Sequence, residues 1–425
     1  MTPPPTAAAA SIETRASWIA ATAALVVMSV AFGAPYVAVT ALKDIAGDLG
    51  GSRTVPALCY SFAWLGTAVG GVAFGGIAER FGLRPTAIFG GVMIAAGLAL
   101  ASRGGLWDLY LGHGLLIGVL GLGAINAPVY VYVSRWFDKR RGSALALISS
   151  GSYVAGALWP PLLAPLIARA GWQDTMLAFA VIEIVLVLLT AWFFFDPPPA
   201  AAPHPLAQAG APARAAGRVL GLNANLVLLL LASASFLCCV TMAMPQSHLI
   251  AFCTDLGITP ERGAAMLSVL LGTAFVSRQI WGWISDRIGG LNTVLASSAC
   301  QAAAIAALLF TQDETGLFTV SAFFGFGFAG LIPAYVLAIR ELFPASEAAW
   351  RVPMMMLMSG SGMATGGWLA GALYDRFGSY VAAFAAGLAA NLLNLVIVGF
   401  LAARARPQRR GYFSSATRRE ISTTL

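Results

Sequence analysis

The stretch SVLLGTAFVSRQIWGWISDRIGGLN, Ser268 to Asn292, decides the fold. It reads as a membrane-spanning helix that runs into a tight charged turn. From Ala264 to Ile284 one full charge, Arg278, interrupts an uncharged run. The turn Gly282-Trp-Ile-Ser-Asp286-Arg287-Ile-Gly289 has a near copy at Gly75-Gly-Ile-Ala-Glu79-Arg80-Phe-Gly82. The pairs Gly75/Gly282, Glu79/Asp286, Arg80/Arg287 and Gly82/Gly289 are all 207 residues apart, and so are Arg169/Arg376 and Gly171/Gly378. One constant offset at two places implies two six-helix halves with hardly an internal gap. Parallel repeats of this kind are one architecture of secondary transporters.

Composition points the same way. The 425 residues are 59% hydrophobic and 10% charged, with mean hydropathy +0.79. A soluble chain would carry about 25% charge, so lipid is the main solvent. The net charge of +7 sits at helix ends and in the tail, which excludes a nucleic-acid footprint. Cys59, Cys238, Cys239, Cys253 and Cys300 lie mostly in apolar runs at no metal-ligand spacing and read as buried free thiols. There is no nucleotide loop, no metal cluster and no nucleophile beside a base. An enzyme, a metal site and a cofactor are therefore not expected.

A spanning helix needs about 20 mostly apolar residues. Twelve such runs are found: 18–42, 55–78, 85–102, 106–133, 142–168, 175–195, 222–252, 263–285, 291–310, 316–339, 352–373 and 380–403. The seventh is over-long, and a kink or early exit is expected near Pro245. The opening Pro/Ala-rich tail leads into a first run long enough to span, so no cleavable signal is expected. With the amino terminus placed in the cytoplasm, eighteen basic residues near helix ends fall inside and six outside. That bias puts both termini in the cytoplasm. The expected organisation is a tail (1–17), a six-helix bundle (18–196), a cytoplasmic Pro/Ala-rich linker (197–221) holding a solvated His204, a second bundle (222–403) and a tail (404–425). Asp44, Asp255 and Glu261 fall in outer loops, where solvation is the expectation.

The two turns carry a resemblance. Gly75-x-x-x-Glu79-Arg80-x-Gly82-x-Arg84 is similar to the loop signature of the major facilitator superfamily, and Gly282-x-x-x-Asp286-Arg287-x-Gly289 to its second-half echo. The resemblance covers essentially the whole chain. It implies an all-α membrane protein of twelve transmembrane helices in two pseudo-symmetric six-helix bundles. It also implies that the first, fourth, seventh and tenth helices line a cavity, that the second, fifth, eighth and eleventh join the halves, and that the rest face lipid. The signature residues would gate: glycines permit close approach and tight turns, and the acid can meet a helix N-terminus or a basic residue. Gly66, Gly70, Gly71 and Gly75 in span two, with Gly362, Gly366, Gly367 and Gly371 in span eleven, suit close packing where the halves meet.

A narrower resemblance rests on three places: Phe32-Gly-Ala-Pro35-Tyr36 in span one, Trp136-Phe137-Asp138-Lys139-Arg140-Arg141-Gly142 before span five, and Arg278 in span eight. These are similar to the branch of monocarboxylate transporters and oxalate/formate antiporters. They imply an inner-membrane secondary transporter of a small monocarboxylate such as lactate or pyruvate, working by alternating access as a monomer coupled to protons. An anion exchanger or efflux carrier for another small organic anion or an amphipathic compound, and a transporter-like membrane sensor, are the alternatives. Arg278 is the expected carboxylate clamp, because a planar guanidinium meets a carboxylate bidentately. Its repeat mate is Gly71, which suggests that the first half holds the apolar or hydroxylated remainder. No second cation lies inside span eleven, where the oxalate-exchanging relatives carry one. The relatives' lysine in span one falls on Tyr36 and their aspartate in span eight on Ala274. Other substrate-contact candidates are Tyr36, Asn126, Tyr130, His248 and Tyr335. Candidates for coupling are His113 and Glu183.

Overall fold

A computed structural model describes residues 12–138, 140–197 and 218–422, with backbone alone at 79, 141, 345, 346, 349 and 406–422. Residues 1–11 of the first tail, Lys139, most of the 197–221 linker with His204, and the side chains of Glu79 and Arg141 therefore lie outside the described residues. So do the side chains of the last tail from Arg406 on.

Ten segments are long and apolar enough to cross a bilayer. One of them, 142–194, turns back at Gly171 (φ 83°, ψ 166°) and makes two passes, spans five and six. Ala345–Phe377 is less apolar, being diluted by Arg351, Ser359, Ser361 and Thr365, but its 33 residues complete a set of twelve. Span one is Arg15–Ala31 and Gly33–Thr40, bent at Phe32. Spans two and three are Thr54–Phe81 and Leu83–Ala101. Span four runs Leu106–Leu111, Gly112–Leu122 as a π-helix, and Gly123–Ser134. Spans seven, eight and nine are Ala224–Asp255, Pro260–Ile288 and Gly290–Phe310. Span ten is Glu314–Phe328 and Leu331–Leu342, span eleven Ala345–Phe377, and span twelve Tyr380–Ser422.

Two expectations fail locally. Span seven does not end near Pro245; it stays one helix of 32 residues. A proline costs one backbone bond, and within a membrane packed neighbours tolerate that loss. The end of the supposed linker is also ordered. Arg218–Val219 pairs antiparallel with Leu222–Asn223 around Leu220 (φ 55°) and Gly221 (φ 74°). Positive φ at both central residues is the two-residue turn that matches strand twist. Span seven then begins at Ala224, with the Asn223 side chain accepting from the Asn225 amide at 2.8 Å.

The signature turns are structural copies. Gly82 (φ 82°, ψ 174°) and Gly289 (φ 79°, ψ 167°) hold one conformation, which L side chains rarely adopt. The outer pair differs: Gly378 is left-handed (φ 67°, ψ 12°), whereas Gly171 is extended at positive φ. Span two packs on span eleven, and span five on span eight, so these four helices join the halves. Spans six and twelve turn helical rows to the outside, Val181, Val185 and Leu189 on one and Leu392, Val396 and Phe400 on the other. Such rows suit a solvent that is itself apolar.

The glycine stripes are mostly not where the halves meet. A Cβ on Gly66 or Gly70 would strike the backbone of span four, and one on Gly71 would sit 3.5 Å from Ala127 Cβ of the same span. Gly362 and Gly366 meet span seven in the same way. Of the stripes, Gly367 and Gly371 face span two, at Tyr60 and at Arg53, joined by Gly360 at Ala68. Gly75 and Gly282 have nothing within 4 Å. The reason is geometric: four-residue spacing marks a face that packs closely but does not say against which neighbour.

Gly325→Ala tests the tightest contact, since its Cβ would lie 1.9 Å from the Leu270 carbonyl oxygen. Overpacking of this kind costs about 1–3 kcal/mol, and the thermal unfolding temperature in detergent should fall. Gly272→Ala on the facing helix, with open space around it, should leave that temperature unchanged or raise it slightly.

Candidate functional site

Arg278 is buried, 8% exposed, between the halves. Its partners belong to span five. Nη1 donates to the Ser149 carbonyl (3.0 Å) and hydroxyl (2.6 Å), and Nη2 donates to the Tyr153 hydroxyl (2.7 Å). The guanidinium carbon also lies 4.5 Å from the Tyr153 ring centroid. The local sequence explains why a main-chain oxygen is free there. At Ser149-Ser150-Gly151 the helix tightens, and the Tyr153 amide bonds the Ser150 carbonyl at 3.0 Å, three residues back. The Ser149 carbonyl is thus released from the helical ladder. The Ser149 hydroxyl gives its proton to the Ala146 carbonyl (2.9 Å), so its lone pair faces the guanidinium. Nε is buried without a hydrogen-bond partner. Among the described residues no carboxylate lies within 4.0 Å of this guanidinium.

Three other candidates gather around this point. Tyr130 of span four lies within electrostatic reach of Arg278 and beside Ser149. Asn126 is half-buried one turn away on the same face. Tyr36 is buried, and a Cβ on Gly156 of span five would come within 2.6 Å of its hydroxyl. The bend at Phe32, just before Pro35, starts the short helix that carries Tyr36 there. Phe328 of span ten closes one side, edge-on to Tyr153 at 5.5 Å.

The remaining candidates sit elsewhere. His248 has both ring nitrogens engaged, Nε2 with the Gly367 carbonyl and Nδ1 with the Tyr380 hydroxyl, each at 2.9 Å. The carbonyl can only accept, so Nε2 carries a proton, and Nδ1 shares a hydrogen bond with a hydroxyl that can donate or accept. Tyr335 is fully buried in the second bundle and donates to Asn394 Oδ1 (2.5 Å), within a network of Ser298, Asn391 and Asn394. His113 uses Nδ1 on the Leu109 carbonyl (3.0 Å), while its Nε2 is buried and unpartnered. Glu183 of span six is fully buried, with neither carboxylate oxygen hydrogen-bonded and one of them near Gly91 of span three. Tyr153 and Ser149 escaped sequence reading, because nothing marks which tyrosine or serine a distant arginine will meet. Gly71 packs on span four and does not oppose Arg278.

A second inter-half cluster lies at the end of the bundle away from the chain termini. Arg53, 6% exposed, holds Asp255 through two bonds of 2.5 and 2.6 Å, with Lys43 adding a third at 3.1 Å. Its guanidinium stacks 3.6 Å from the Tyr374 centroid. Asp375 of span eleven accepts from the amides of Arg53 and Thr54 (2.8 and 2.9 Å) and from Ser52 and Thr54 hydroxyls. One half thus caps a helix of the other, which satisfies orphan amides and opposes the helix dipole with an anion. Asp255 is therefore paired, not solvated. The repeat gives no warning, since the residue 207 before Asp375 is Ala168.

At the opposite end Asp286 is exposed, and Arg287 folds back on its own helix, donating to the Trp283 carbonyl at 3.2 Å. Arg351, which falls just outside the apolar run 352–373, lies inside span eleven. It is 3% exposed and holds Glu347 at 2.7 Å, because that helix starts seven residues earlier than apolarity alone suggested.

A sequence profile described as Major Facilitator Superfamily matches residues 21–313 and 249–422. Monocarboxylate transporter 13 of Bos taurus is 27% identical over 311 residues, covering 72% of this chain and 71% of that protein. An MFS-type transporter of Gibberella moniliformis is 24% identical over 306 residues, 71% and 70% of the two chains. A crystal structure of the peptide transporter POT in complex with alafosfalin superposes with a TM-score of 0.70 at 16% identity, covering 91% of this chain and 95% of that one. A bacterial homolog of the human lysosomal transporter Spinster, in an inward-facing and occupied conformation, gives 0.67 at 14% identity, covering 91% and 96%. At such identities these two structures speak to the fold alone.

Removing Asp255 strands a nearly buried guanidinium, and breaking such a pair costs about 3–5 kcal/mol. Asp255→Ala should lower the thermal unfolding temperature clearly. The Arg53→Ala/Asp255→Ala double variant should lose less than the sum of the single changes.

Proposed function

This chain belongs to the major facilitator superfamily, and on that footing we propose that it is a secondary active transporter of a small monocarboxylate of the 2-hydroxy or 2-oxo acid type. The observation that carries the reading is the buried Arg278, held by a carbonyl, two hydroxyls and a ring face, with no acid among its described neighbours. A guanidinium in the hydrocarbon costs at least about 2.5–3.5 kcal/mol. Neutral oxygens meet that cost only in part, so one arriving carboxylate is the partner the site favours. The carboxylate would take the fork now turned to Ser149 and Tyr153, while Tyr36, Tyr130 and Asn126 offer hydroxyl and amide contacts to the 2-substituent. The likeness to monocarboxylate transporter 13 supports the same class.

A dicarboxylate fits less well, because the other two buried arginines among the described residues, Arg53 and Arg351, are already spent on Asp255 and Glu347. We place both termini in the cytoplasm of an inner-membrane protein, by the distribution of basic residues. The Arg53–Asp255 and Asp375 contacts are then the closed outer gate. The turns at Gly75–Gly82 and Gly282–Gly289, with Arg84, would be the inner elements that move during alternating access.

Protons are the coupling ion of this proposal. Neither His113 nor Glu183 touches the Arg278 cluster, and this favours a second reading, exchange of one acid for another. A site that is neutral only when loaded crosses most readily loaded.

Reconstituted vesicles test both. Arg278→Lys keeps the charge but loses the fork, and uptake of labelled lactate or pyruvate should fall tenfold to about a hundredfold, the worth of a charge-assisted hydrogen bond. Tyr153→Phe should fall about fivefold. Uptake within twofold of wild type for Arg278→Lys would sink the clamp. Stimulation by an inward proton gradient marks cotransport, and dependence on acid inside the vesicle marks exchange.

A further inference from the structure

We propose that the cavity beside the first signature turn binds the headgroup of an anionic phospholipid. The cavity measures about 340 Å³ and is lined by Arg80, Arg84 and Arg135 together with apolar Phe81, Pro128 and Phe195. It opens where spans two, three, four and six end, at the face that carries the chain termini.

The walls are braced. Arg84 donates through Nε to the Phe195 carbonyl (3.1 Å) and through Nη2 to Asp196 (3.0 Å). Tyr132 of span four donates to the Asp196 carbonyl at 2.8 Å and packs 5.4 Å from the Phe195 ring. The end of span six is thereby tied to spans three and four, and the cavity keeps its shape.

The charge in it is not consumed. Arg80 and Arg135 are exposed, and neither has a carboxylate partner among the described residues. Among the described residues Asp196 is the one acid in the lining, so the three guanidiniums less that carboxylate leave +2 there. That suits a phosphodiester carrying no compensating amine, and basic pockets between spanning helices at this level bind such headgroups. A free phosphate would need only the guanidiniums. The lipid also explains Phe81, 69% exposed at the rim, as a wall for the glycerol and upper acyl chain.

The repeat sharpens the stoichiometry. Shifted by 207, Arg84 becomes Leu291 and Arg135 becomes Leu342, while Arg287, the mate of Arg80, is folded onto Trp283 at 3.4 Å. The second half has no copy of the site, so one lipid per chain is expected. Bound there, it would hold the Gly82 turn against spans four and six.

Native mass spectrometry of the full chain in detergent, titrated with dioleoyl phosphatidylglycerol, dioleoyl phosphatidylcholine or glycerol 3-phosphate, tests this. One phosphatidylglycerol should bind about tenfold more tightly than phosphatidylcholine. Arg80→Gln and Arg135→Gln should each weaken it about fivefold, the worth of one basic residue at an anionic surface, while Arg135→Lys and Arg287→Gln should not. Equal binding of the two lipids by the wild type overturns the proposal, and this arm needs no variant to fold. Unchanged affinity in the Arg80→Gln/Arg135→Gln double variant also overturns it. Glycerol 3-phosphate binding as tightly as the lipid would replace the lipid by a soluble phosphate.

Discussion

A charge in oil has to be answered, and Arg278 is the charge around which the two bundles are arranged. Its answer crosses from one half to the other: a carbonyl released by a tightened turn at Ser149, the Ser149 hydroxyl, and the oxygen and face of Tyr153. These are dipoles, not anions. They make the buried cation tolerable without neutralising it, which is the condition a site must meet if it is to bind an acid and then release it. A carboxylate in their place would pair too well to be displaced.

The same reasoning explains why the two ends of the molecule differ. Away from the termini, full charges are paired and amides are capped across the gap: Arg53 with Asp255, and Asp375 with the start of span two. Such contacts are strong while aligned and are lost together when the helices tilt, so they suit a latch. Towards the termini, glycines of the signature turns face open space, and the acid and base of the second turn point to solvent or to their own helix. Among the described residues, ion pairs between the halves occur only at the end away from the termini.

Internal symmetry explains the frame and not the chemistry. Gly82 and Gly289 repeat to within a few degrees. Yet Arg278 answers to Gly71, Asp375 to Ala168, and Arg135 to Leu342. Each of these polar clusters sits where the copies have diverged, because a duplicated bundle needs its turns twice, whereas a contact made once needs its residues once.

How much was legible follows from range. Apolar run lengths and a 207-residue offset determined twelve passes and two halves, since these depend on neighbours along the chain and on the thickness of a bilayer; which helices join the halves came from the superfamily resemblance alone. The lone charge at Arg278 was likewise visible as an anomaly in its own helix. What it touches was not. Tyr153 and Ser149 lie about 125 residues earlier in the chain, and no local pattern distinguishes them from other buried hydroxyls. His248 and Tyr335 looked like cavity residues for the same reason, and packing turned them into the second bundle, where Gly367, Tyr380 and Asn394 claim their polar atoms. Asp255 read as a solvated loop acid until tertiary structure paired it with Arg53 of the other half, and nothing in the sequence marked Asp375 as the cap of another helix's bare amides. Sequence determined the membrane fold and the presence of a stranded cation. Only the packing of helices distant in the chain decided which polar groups share its space, because hydrogen bonds in a low-dielectric interior are set by proximity within a few ångströms and not by order along the backbone.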